Sequence, residues 1–69
     1  MSLRQDIESL FNAWENNLVT GYKISKATGV SQQLLGKYRD GERSVDRMAL
    51  ETAEKLSEYY IEHVKDLSE

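Results

Sequence analysis

The sequence predicts an all-α domain of four to five helices, and three observations carry that expectation. Apolar residues recur at three- and four-residue spacing along most of the chain, the 69 residues include no proline and four glycines, and no stretch alternates apolar with polar residues as a half-buried strand would. With 39% hydrophobic and 30% charged residues, the composition is that of a small globular domain, and the length allows one such domain over 1–69.

Caps and apolar stripes mark each helix in turn. Ser2 followed by Gln5 makes a capping box, after which Leu3, Ile7, Leu10, Phe11 and Trp14 line one face for about four turns. Asn16-Asn17 tolerates a left-handed helix end, Leu18 and Val19 are expected to pack down, and Thr20 offers the next N-cap. The second helix is short, with Ile24 and Ala27 on its inner side and Gly29 suited to the positive φ that ends it. Val30 reads as a buried anchor, and Ser31 caps a third helix over Gln32–Arg39 that Asp40-Gly41 closes. Ser44 is expected to cap the fourth, with Asp46 near its positive end and Met48, Ala49, Ala53, Leu56, Tyr60, Val64 and Leu67 continuing an apolar stripe. This C-terminal helical segment, 45–67, reads as one long or gently kinked helix, the alternative being two helices hinged near Ser57-Glu58.

The absence of cysteine removes disulfides, thiol catalysis and cysteine zinc sites, and the single histidine, His63, leaves little for a metal site or a Ser-His relay. Carboxylates such as Glu51 and Glu58 lie on a solvated helix without a nucleophile or histidine partner. The expectation is therefore a protein that is not an enzyme and uses no cofactor. No apolar run could span a bilayer and Met1–Leu10 lacks the core of a secretory signal, so a cytoplasmic protein with no membrane partner is expected.

The net charge of −3 conceals an uneven distribution. Between Thr20 and Arg47 the chain carries Lys23, Lys26, Lys37, Arg39, Arg43 and Arg47 against Asp40, Glu42 and Asp46, a net +3, while the rest carries −6. A basic centre between acidic arms is compatible with a polyanionic partner.

That centre coincides with a short helix, a tight turn containing glycine, and a second short helix, the parts of a helix-turn-helix at about 20–40. Thr20, Ile24, Ser25, Gly29, Val30, Ser31, Leu35, Tyr38 and Gly41 stand at the spacing T-x-x-x-[IL]-[AS]-x-x-x-G-[VI]-[ST]-x-x-x-[IL]-x-x-[aromatic or L]-x-x-G. The stretch resembles the helix-turn-helix of the phage Cro and repressor family, and with flanking helices the resemblance covers about residues 1 to 57. It implies a lambda repressor-like DNA-binding domain whose second motif helix enters a major groove.

The residue chemistry agrees with that implication. At 100° per residue Leu35 and Tyr38 point to one side of the third helix, and Gln32, Gln33, Gly36, Lys37 and Asp40 spread over the other. Glutamine can pair bidentately with adenine, and lysine donates to guanine or phosphate, so Gln32, Gln33 and Lys37 are the expected base readers. Leu34 meets a thymine methyl or tucks against the fourth helix, the second being favoured. Gly36 reads either as close approach by a sugar-phosphate strand or as tolerated drift. Backbone contacts are expected from Thr20, Tyr22 and Lys23 around the start of the second helix, and from Ser31, Gly36, Arg39 and Arg43. The role of Arg43 follows from a loop that resembles the family's phosphate-contacting loop, while Arg39 and Arg47 are open to pairing with Asp40, Glu42 or Asp46.

Two positions depart from the family. Gly21 stands where glutamine is common, which removes a phosphate clamp, and Val45 stands where proline is frequent, in a loop about one residue shorter than usual. Beyond the motif, Tyr59, Tyr60, His63, Val64 and Leu67 read as a homodimer interface, the alternative being that Tyr60, Val64 and Leu67 fold back on the first helix. The expected function is a sequence-specific transcriptional regulator, a phage or bacterial repressor, that occupies an inverted-repeat operator on double-stranded DNA without a small-molecule effector. The other reading is a helix-turn-helix adaptor that binds protein, as an antitoxin or antirepressor would.

Overall fold

Six side chains, Ile7, Leu10, Ile24, Leu35, Leu56 and Val64, are almost fully withdrawn from solvent, and every helix of the fold contributes to that centre. The computed structural model describes residues 3–65. Over that range it is all-α: α1 Leu3–Glu15, α2 Gly21–Thr28, α3 Gln32–Arg39, a 3-10 turn Val45–Arg47, α4 Leu50–Tyr59 and a π-helical turn Tyr60–Val64. Burying each large core side chain contributes roughly 1.5–3 kcal/mol. No helix among the described residues is long and apolar enough to cross a membrane.

Local chemistry sets most of the boundaries. Asn17 takes φ 63 after α1, and Gly29 and Gly41 take φ 80 and 84 after α2 and α3. Thr20 Oγ1 accepts from the Lys23 amide at 3.2 Å and Ser31 Oγ from the Leu34 amide at 3.1 Å, which satisfies one otherwise orphaned donor at each helix start. Thr28 fastens the turn between α2 and α3: its buried hydroxyl donates to the Ile24 carbonyl at 2.7 Å and accepts from the Val30 amide at 3.3 Å. The Ser2 half of the expected capping box lies outside the described residues.

The C-terminal segment corrects the expectation at its start. Ser44 Oγ accepts from the Asp46 amide at 3.2 Å, but it caps the separate 3-10 turn and not a fourth helix. Met48 and Ala49 are extended, a break that lowers Met48 into the core, and α4 begins only at Leu50. From there the chain is continuous through Ser57-Glu58. Its winding loosens at Tyr60, where the Lys65 amide reaches back five residues to the Tyr60 carbonyl. Ser57 Oγ donates to Asp6 Oδ2 at 2.7 Å, a buried bond that ties α4 to α1.

Four apolar expectations fail by exposure, and Leu3, in the first turn of α1, is one of them. Leu18, Ala27 and Ala49 face outward, because Val19, Ile24 and Met48 beside them already fill the inner positions.

Candidate nucleic-acid interface

The α3 helix is held by one flank. Leu35 is fully buried, Leu34 and Tyr38 pack partly buried against the core, and Gln32, Gln33 and Lys37 are exposed on the outer side. Leu34 thus takes the packing role. A Cβ built on Gly36 meets nothing within 4 Å, so no neighbour inside the protein requires a glycine there.

Beyond α3 the chain folds back on the helix it has just left. The Lys37 carbonyl accepts from the Glu42 amide at 2.9 Å and the Arg43 amide at 3.2 Å, which anchors the Arg43 backbone to the end of α3. Arg43 and Arg47 share a cleft of about 250 Å3 with Tyr38, Glu42 and Ser44. Sequence reasoning left Arg47 open to an acidic partner, yet Asp40 is taken by Arg39 at 3.1 Å and Asp46 by Arg4 at 2.9 Å. Glu42 lines the same cleft without an ion pair to Arg47 among the described residues, so Arg47 joins Arg43 as an exposed cation.

Arg39 behaves differently. Its guanidinium lies 4.2 Å from the centre of the Trp14 ring and its Nε donates to Asp40, so two internal contacts already hold the charge. Among the expected backbone-contacting residues it is the one most committed within the fold.

At the start of α2, Tyr22 is exposed and Lys26 sits 5.9 Å above its ring. Lys23 is exposed beside it, and the Thr20 and Ser31 hydroxyls accept cap bonds while remaining at the surface. Gly21 is buried, and the Trp14 indole occupies the space a side chain there would need.

Ion pairing sharpens the charge pattern. Among the described residues, Lys23, Lys26, Lys37, Arg43 and Arg47 make no ion pair, and all lie between Thr20 and Arg47. Outside that segment Arg4 bonds Glu8 and Asp46, and Lys55 pairs with Glu51 at 3.2 Å. Uncompensated positive charge therefore gathers on the segment that presents α3.

The residues expected at a subunit interface do not form one exposed surface. Val64 is buried, because the π turn lays it against α1, and Tyr59 and Tyr60 are half-buried against the core. His63 is exposed with its ring 5.0 Å from that of Tyr59, and Leu67 lies outside the described residues. Val64 is thus corrected from interface to core, in line with the folded-back alternative. Compared with models of protein families, with curated proteins and with solved structures, the chain finds no match in any of the three.

Proposed function

We propose that this chain is a sequence-specific DNA-binding transcriptional regulator that inserts α3 into a major groove and acts by occupying its site. One observation carries the reading: a short helix locked by Leu35 on one flank shows Gln32, Gln33 and Lys37 on the other, amid exposed cations that make no ion pair among the described residues. Glutamine's paired donor and acceptor match an adenine edge, and lysine matches guanine or phosphate. Lys23, Arg43 and Arg47 supply the phosphate contacts that set register without reading sequence. Double-stranded DNA is the partner, and repression follows from steric occupancy.

Anisotropy titrations with a mixed-sequence duplex over a range of salt test the electrostatic half. Affinity falls with a log-log slope of about −0.9 per neutralised phosphate, and Lys37→Ala weakens it. Selection of bound fragments from a random duplex pool tests the reading half. Gln32→Ala and Gln33→Ala change the recovered consensus more than the non-specific affinity, and a palindromic consensus means that two copies bind together. Salt-insensitive or absent binding sinks the proposal and leaves the protein-binding adaptor in its place.

A further inference from the structure

We propose that the face made by the start of α1 and the outer side of α4 docks a cationic amphipathic helix of another protein. Leu50 is 65% exposed, Ile61 44% and Leu3 37%, and these three account for most of the large apolar surface outside the candidate DNA interface. Leu3 is their common neighbour. It lines a groove of about 290 Å3 with Glu54, Ser57 and Ile61, and a second of about 250 Å3 with Val45, Met48 and Leu50.

Helical geometry makes this one site. At 100° per residue Leu50, Glu54 and Ser57 fall in a single narrow stripe with Glu51 and Glu58 in the row beside it, and Ile61 and Glu62 of the π turn line one groove with Glu54, Ser57 and Glu58. From Leu50 to Ile61 this surface runs for about 16 Å, the length of three helical turns. Apolar patches rimmed by charge are where proteins meet partners, and Leu50 and Ile61 at the two ends of this surface, with Leu3 lining a groove beside each, fit a helix laid in a groove.

Charge selects the occupant. Among the described residues Glu54 and Glu58 make no ion pair, and Glu62 Oε2 lies 3.7 Å from His63 Nε2. Two basic residues at the edges of this face are already engaged, Arg4 by Glu8 and Asp46 and Lys55 by Glu51. A second copy would set the same carboxylate row against itself, and juxtaposed like charges oppose association. A helix with an apolar seam and lysine or arginine on its flanks satisfies both the stripe and the row. None of these residues belongs to the candidate DNA interface, so the site does not rest on the DNA reading.

The test uses a labelled synthetic Leu/Lys amphipathic helix of about 14 residues, long enough to span the stripe, and the same helix with glutamate in place of lysine. The Leu/Lys helix binds the intact chain and the Leu/Glu helix does not. Combined Glu54→Lys and Glu58→Lys weaken binding by about tenfold and Ile61→Ser by about fivefold, whereas the charge-matched pair Glu15→Lys and Glu42→Lys changes it less than about twofold. All these positions are exposed, and circular dichroism confirms that each variant folds. No binding, or equal weakening by the control pair, overturns the proposal, since equal weakening means only general attraction to an acidic protein. Sedimentation that shows a dimer broken by Leu50→Ser overturns it too, because the face then belongs to a second copy.

Discussion

The indole of Trp14 and the missing side chain of Gly21 share one space: a Cβ at residue 21 would stand 2.9 Å from Cη2 of Trp14 and nearer still to Cζ2. The last turn of α1 can approach the first residue of α2 this closely because that residue is glycine. Gly21→Ala should cost about 1–3 kcal/mol, the usual penalty for overpacking, although alanine is the better helix former. Urea denaturation measures it, and in a Trp14→Phe background, where the ring is smaller, the same substitution should cost less.

The same indole carries Arg39 on its face. Arg39→Ala should lower stability by roughly 0.5–2 kcal/mol and change Trp14 fluorescence, because it removes a partly buried cation–π contact. Arg43→Ala and Arg47→Ala should leave stability within about 0.5 kcal/mol and each reduce the salt slope of DNA binding by about one. Thermal melts and salt titrations of the three variants separate the roles.

Gly36 weakens α3 with no internal packing reason. Gly36→Ala should stabilise the free protein by up to about 1 kcal/mol, read as a higher melting temperature. A fall in DNA affinity in that more stable variant would bring a strand within contact of residue 36.

Ser57 and Asp6 satisfy each other in a buried position, and no buried side-chain nitrogen or oxygen among the described residues lacks a partner. Ser57→Ala leaves the carboxylate without that donor and should cost about 1–3 kcal/mol. Urea denaturation midpoints of Ser57→Ala and Ser57→Thr check it, since threonine keeps the hydroxyl.

Burial raises the pKa of the Tyr59 phenol above its ordinary 10.0. The unfolded chain therefore loses this proton first, so the stability present below pH 10 is lost as pH rises through the folded-state value. Melting temperatures followed from about pH 9 to about pH 11 should fall less steeply for Tyr59→Phe than for the parent chain.

The readable features are those whose partners lie within a few residues. Thr20, Ser31, Gly29 and Gly41 act on their own helix ends, so the bounds of α3 agree with the expected Gln32–Arg39 and the outward face of Gln32, Gln33 and Lys37 follows from 100° per residue. The start of α4 was not readable in this way. Ser44 is an equally good cap for a 3-10 turn, and the choice rests with Met48, whose burial requires the break that follows.

The sequence alone therefore determined the helical class, the two short helices α2 and α3 and the side of α3 that packs, because caps and periodicity are local interactions repeated along the chain. Tertiary structure decided which charges stay free, that the Trp14 indole fills the space beside Gly21, and that Val64 is core and not interface. Those outcomes depend on pairs such as Arg4 with Asp46, Asp6 with Ser57 and Trp14 with Arg39. The partners stand far apart along the chain, and no spacing rule joins them until the helices have packed.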